Sequence, residues 1–192
     1  MPAPHPARWA ATPRPATAVT DPVTPQLRKL ALTAHVAASV GWLGAIAVFL
    51  ALAVSALTVE DPQMVRAAYL AMQLTAWSLL VPLALASLVS GLVQALGTSW
   101  GLFRHYWVLV KLLITAVATI VLLLYTQTIR SMATIAAHSA DLSELRNPSP
   151  VLHAGVGVLL LLVTTALSVY KPRGRTRYGW RKQQELRATS EP

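Results

Sequence analysis

The sequence has no cysteine and few charged residues, and each deficit excludes a class of function. Without cysteine, the chain has no disulfides, thiolate metal sites, iron–sulfur clusters or thioether-linked haem. Charged residues make up 12% of the 192 residues, against roughly 25% in a typical soluble domain. The seven acidic residues all lie outside the long apolar runs, which argues against a proton carrier built on intramembrane carboxylates.

Apolar residues, which make up 55% of the chain, collect in four runs. The runs cover residues 30–57, 66–96, 105–128 and 150–170. Each is long enough to cross the hydrocarbon of a bilayer, which takes about 20 residues as a helix, and no long stretch alternates with the period of a strand. The sequence therefore predicts an all-α fold, a four-helix transmembrane bundle in one domain over residues 28–171.

Individual residues predict where these four helices bend, begin and end. Pro82 lies in the middle of the second run and removes one backbone hydrogen bond, which predicts a kink. The third helix is expected to continue beyond the lipid toward His138. Ser149 is the predicted N-cap of the fourth helix, with Pro150 as its first helical residue.

Two tails flank the predicted bundle. Residues 1–27 contain seven of the thirteen prolines without apolar periodicity, which predicts a disordered tail. Residues 172–192 form a basic tail, and together with the net charge of +9 they favour anionic lipid headgroups over nucleic acid as the partner. Twelve Lys and Arg residues precede the first run, lie between the second and third, or follow the fourth, against three on the other side. The positive-inside rule therefore predicts that both termini are cytoplasmic.

Two ionisable side chains lie inside the apolar runs. Lys111 is in the third run and His35 in the first, both about 8–10 Å along their helices from the same interface. A charged residue at membrane depth costs about 2.5–3.5 kcal/mol on insertion scales. Lys111 therefore either extends to the headgroups or has a partner, and His35 is the best partner that the sequence offers. Gln94 in the second run falls at a similar depth.

The segments around these residues resemble a known family. The first run reads LTAHVAASVGWLGAIAVFLAL and the third YWVLVKLLITAVATIVLLLY, and both are similar to helices of the CopD and HemJ group of bacterial membrane proteins. HemJ-type members are haem-binding protoporphyrinogen oxidases in which a His and a Lys on two such helices are associated with haem. The resemblance implies haem-associated roles for His35 and Lys111 and a bacterial plasma-membrane location. Trp42 lies on the same helical stripe as His35, and Trp107 on that of Lys111, so both are predicted to line the cofactor site. The tail LSVYKPRGRTRYG also resembles small four-span bacterial membrane proteins that have no assigned function.

Two interpretations from different classes remain open. In the first, the bundle holds a b-type haem between its first and third spans, with the imidazole of His35 as metal ligand and Lys111 as a second ligand or a propionate partner. The protein would then be a redox protein, and if an enzyme an oxidoreductase, with a redox partner in the membrane. In the second, it is a non-catalytic membrane subunit in which the polar residues fix helix packing and the basic tail binds anionic lipid or a partner.

Overall fold

Four membrane-spanning helices account for the fold. The computed structural model describes residues 25–97, 106–139, 141, 143–170, 180, 181 and 184. The helices are α1 (Pro25–Thr58), α2 (Pro62–Thr75), α3 (Val81–Gly97), α4 (Tyr106–His138) and α5 (Ser149–Tyr170). A π-helical turn (Ala76–Leu80) joins α2 and α3 into one span, and a 3₁₀ turn (Ser143–Leu145) precedes α5. Within the described residues, four helices are long and apolar enough to cross a membrane, so the prediction of an all-α four-helix bundle is confirmed.

The starts of α1 and α5 differ from the predicted ones, whereas the end of α4 agrees. α1 begins at Pro25, inside the predicted tail, because proline suits the first turn of a helix. α4 continues to His138 as predicted. Ser149 does not cap α5, since the Asn147 side chain accepts the hydrogen bond from the Ser149 backbone N–H at 2.8 Å. The rest of the two predicted tails lies almost entirely outside the described residues.

The interruption predicted at Pro82 takes the form of the π turn. The Val81 N–H bonds back to the Ala76 carbonyl, one residue further than in an α-helix. This wider turn lies directly before Pro82, whose missing N–H and bulky ring break the regular α-helical pattern. The second span is therefore one helix with a local widening at mid-membrane depth.

The spans pack in a ring. α1 contacts α2, α3 and α5, while α4 contacts the same three helices from the other side. The first and third spans thus lie diagonally across the bundle. The core is formed by large side chains on the inner faces, among them Trp42, Phe49, Tyr69, Met72, Leu80 and Ile129. Many leucines and valines face outward, as expected for helices whose outer solvent is lipid.

The end of the bundle near residue 62 is closed by polar contacts to backbone carbonyls. The guanidinium of Arg66 donates to the carbonyls of Ala136 and Ser139, both at 2.6 Å. These carbonyls belong to the last turn of α4 and the residue after it, where helical partners run out. The buried Tyr69 hydroxyl donates to the Leu145 carbonyl at 2.6 Å. The connection from α4 to α5 is therefore tied to α2.

Candidate functional site

His35 lies half-buried between α1 and α3 and is hydrogen-bonded there. Its Nδ1 is 3.1 Å from the Ser87 carbonyl oxygen and 3.1 Å from the Ser90 hydroxyl. A carbonyl oxygen can only accept, so in the neutral ring Nδ1 carries the proton and Nε2 carries the lone pair. No described residue hydrogen-bonds Nε2. The ring is thus fixed through one nitrogen, and the other is chemically able to bind a metal.

Gly91 makes room for the imidazole. A Cβ atom at Gly91 would lie 3.0 Å from Cε1 of His35 and 3.5 Å from Nδ1. Few real side chains tolerate such an approach, so the ring packs directly on the backbone of α3. Small residues allow helices to come this close in lipid, where packing rather than hydrophobicity drives association.

Two further contacts extend the polar interface between α1 and α3. Gln94 Nε2 donates to the Ala31 carbonyl at 3.2 Å, and the hydroxyls of Ser39 and Ser87 are 2.9 Å apart. On α1 the bonded positions are 31, 35 and 39, which one helical turn separates from one another. We call the contacts of Ala31, His35 and Ser39 on α1 with Ser87, Ser90 and Gln94 on α3 the polar ladder. It joins the first span to the second along one continuous face.

Lys111 contacts the fourth span and an aromatic ring of its own helix. Its Nζ donates to the Ser168 hydroxyl at 2.5 Å and lies 5.6 Å from the centre of the Trp107 ring. That second distance is within the range of a cation–π contact. That His35 and Lys111 share one depth in the membrane stays a prediction.

The hydrogen bonds described for these side chains run to neighbouring helices, and the predicted pairing of His35 with Lys111 stays a prediction. His35 bonds to α3 and Lys111 to α5, because α1 and α4 are diagonal and the adjacent helices offer nearer hydroxyls. Sequence reasoning missed Ser87, Ser90 and Ser168. The first two were open to detection, because they lie three residues apart at the depth of His35.

Beside the polar ladder lies an apolar cavity of about 440 Å³. Trp42 forms part of its wall and is 2% exposed. Its indole Nε1 is buried and has no hydrogen-bond partner among the described residues. His35, Lys111 and Trp107 do not line this cavity, so the four predicted site residues divide between two places.

A second polar cluster lies at the other end of the cavity. The rings of Tyr125 and His153 stack with their centres 3.9 Å apart. The Tyr125 hydroxyl is 2.9 Å from the Ser149 hydroxyl, and His153 Nδ1 is 2.9 Å from the Ser149 carbonyl. The hydroxyl that the sequence assigned to capping thus connects α4 to α5.

No family model, no curated protein and no solved structure matches the chain. The resemblance to the CopD and HemJ group therefore stays a prediction that rests on the quoted segments. The four spans themselves support a multi-pass membrane protein.

Proposed function

We propose that the protein is a non-catalytic membrane subunit in which the polar ladder fixes how the first two spans pack. The observation that carries this proposal is the hydrogen bonding of His35 Nδ1 to the Ser87 carbonyl and the Ser90 hydroxyl. In lipid, a polar side chain without a partner is costly, so such contacts select one arrangement of the helices. Ser39 and Gln94 add contacts on the same face.

The proposal includes an orientation and a partner. Both termini lie in the cytoplasm of a bacterial cell, because twelve basic residues against three favour that side. The basic tail at residues 172–192 then lies against the cytoplasmic leaflet. Each Lys or Arg near an anionic surface contributes roughly 1 kcal/mol to attraction, which supports headgroup binding by the tail.

A second candidate function is haem binding, favoured by the state of the His35 ring. Its Nδ1–H points to a backbone carbonyl, the arrangement by which metal-ligating histidines are commonly oriented. His35 would hold haem b through Nε2, and Lys111 would ligate as an amine or face a propionate after leaving Ser168. A bound haem b would supply one-electron redox chemistry, exchanged with a membrane partner. The imidazole of His35 and the amine of Lys111 are both able to ligate haem iron, although His35 does not line the apolar cavity.

Two substitutions of His35 separate the candidates. In His35→Asn the side-chain N–H can still reach the Ser87 carbonyl, whereas the Nε2 lone pair is lost. In His35→Ala both are lost. A packing role predicts that Asn preserves stability and that Ala lowers the free energy of unfolding by about 1–2 kcal/mol, from one intramembrane hydrogen bond of about 0.6 kcal/mol plus lost packing.

The measurements are denaturant unfolding in detergent micelles and the absorption spectrum of protein expressed with ample haem. A Soret band that disappears in both variants would establish haem ligation by His35. A colourless wild type would remove the haem candidate. Equal stability of the Asn and Ala variants would remove the packing role of the Nδ1 contacts.

A further inference from the structure

One end of the apolar cavity carries a basic nitrogen. His153 lines the cavity and lies one turn inside the start of α5, near one end of the fourth span. Its Nδ1 is 2.9 Å from the Ser149 carbonyl oxygen, so in the neutral ring Nδ1 donates and Nε2 carries the lone pair. No described residue hydrogen-bonds Nε2. Because the ring also stacks on Tyr125, the imidazole is a positioned base with one nitrogen able to bind a ligand.

The rest of the wall is mostly apolar and reaches well into the span. Ile46, Phe49 and Leu80 line it from the first two spans. On α5 the lining continues from His153 to Leu161, a depth of about 12 Å. An extended carbon chain advances about 1.2 Å per bond, so roughly ten bonds cover this depth. The cavity volume of about 440 Å³ falls in the range of small-molecule sites, about 300–1,000 Å³.

The cavity opens toward the bilayer between α4 and α5. Its lining includes residues of both helices that are about half exposed on the lipid face: Val117, Val121, Leu152 and Val156. The two helices are hydrogen-bonded on either side of this opening, through Lys111 and Ser168 at one end and Tyr125 and Ser149 at the other. An amphiphile in the membrane can therefore enter sideways between the two contacts.

The π-helical turn of the second span belongs to the same wall. Ala76 and Leu80, its first and last residues, both line the cavity. Single π turns inside α-helices frequently occur at functional sites. The irregular part of the second span thus lies where the basic nitrogen and the apolar space come together.

The charges of the lining favour an acidic ligand over a basic one. Among the described lining residues there is no Lys, Arg, Asp or Glu, and His153 is the one side chain that can become a cation. A ligand cation would therefore be desolvated without a counter-charge, which is costly. A carboxyl group, in contrast, can form a charge-assisted hydrogen bond with the imidazole. The start of α5 adds the positive end of a helix dipole, which also favours a carboxylate.

We propose that this cavity binds a long-chain carboxylic acid, a free fatty acid of the bilayer, with its carboxyl group on Nε2 of His153 and its chain along the apolar wall. One proton lies between a carboxyl oxygen and Nε2, whichever of the two holds it. The site does not depend on haem or on the role of the polar ladder, because His35 and Lys111 are not in its wall.

The test measures retention of radiolabelled dodecanoic acid by the full chain in digitonin micelles, with competition by unlabelled compounds. Saturable retention near one molecule per chain is expected. Methyl dodecanoate has the same chain and no acidic proton, so it should compete at least about tenfold less well than the acid. His153→Phe keeps a ring that can stack on Tyr125 and removes Nε2, so it should weaken binding of the acid by about tenfold.

Two glycines of α5 supply a matched pair of variants for the chain-binding part of the site. Gly157 lines the cavity, whereas Gly155 does not and a Cβ there has no heavy atom within 4 Å. Gly157→Leu should occupy part of the cavity and weaken binding at least about tenfold, and Gly155→Leu should bind like the wild type. If Gly157→Leu does not fold, His153→Phe and the methyl ester decide. The proposal is overturned by a lack of saturable retention, by equal competition from acid and ester, or by unchanged affinity in His153→Phe.

Discussion

The effect of Gly91→Ala on stability should depend on His35. The substitution should destabilise the wild type and stabilise a variant that lacks the imidazole. The added methyl would lie 3.0 Å from Cε1 of His35 and 3.5 Å from Nδ1. The ring cannot withdraw freely, because Nδ1 is bonded to Ser87 and Ser90 at 3.1 Å each. A shift of a few tenths of an ångström would lengthen both contacts. The structure therefore couples Gly91 directly to the imidazole.

The expected magnitude combines two opposing effects. Overpacking a fitted site costs about 1–3 kcal/mol, whereas alanine is favoured over glycine within a helix by roughly 0.5–1 kcal/mol. In the wild type, Gly91→Ala should therefore lower the free energy of unfolding by about 0–2.5 kcal/mol. In the His35→Ala background the obstruction is gone, and the same substitution should raise it by up to about 1 kcal/mol.

A double-mutant cycle measures this coupling as the difference between the two effects of Gly91→Ala, about 1–3 kcal/mol. The free energy of unfolding is obtained by denaturant titration in micelles, followed by far-ultraviolet circular dichroism. Gly44→Ala is the control, because a Cβ there has no heavy atom within 4 Å. It should change stability equally in both backgrounds. If Gly91→Ala also has equal effects in both, the ring does not pack on α3 as described.

Two further outcomes are expected. Arg66→Met removes both charge-assisted bonds to the end of α4 and should lower the free energy of unfolding by about 1–3 kcal/mol; the exposed Arg130→Met should change it by less than about 0.5 kcal/mol, and equal losses would contradict the bonding role. Reporter fusions at residue 192 and near residue 62 should lie in the cytoplasm and outside it, respectively, because basic residues concentrate on the first side. The reverse result at either site would overturn the proposed orientation.

The sequence predicted the helices well because their signals are local. Apolar length defines a span whatever its neighbours are, and proline marks where regular backbone bonding fails. The cap of α5 was wrong because Ser149 had a second option that no local pattern reveals. Its hydroxyl is hydrogen-bonded to Tyr125, 24 residues earlier. The side-chain oxygen of Asn147 accepts the hydrogen bond from the Ser149 backbone N–H.

For the candidate site, the sequence predicts the depth of each residue along its helix but not the direction in which its side chain turns. Counting residues from the interface places His35 and Lys111 near one level, and this placement stays a prediction. The side to which each side chain turns depends on how the helices rotate about their axes and which spans become neighbours. Packing of the whole bundle decides both. The cavity beside Trp42 is likewise a product of four helices that no single segment encodes.

The position of Trp42 relates the polar ladder to the cavity. On α1, residues 31, 35 and 39 take part in the ladder, and Trp42 follows on the same face one turn later. Beyond Ser87 the facing helix becomes apolar, since Leu83 packs against Gly41 and Leu80 belongs to the core. The N–H of Trp42 is therefore buried where no described residue provides an acceptor, and the polar ladder ends at Ser39.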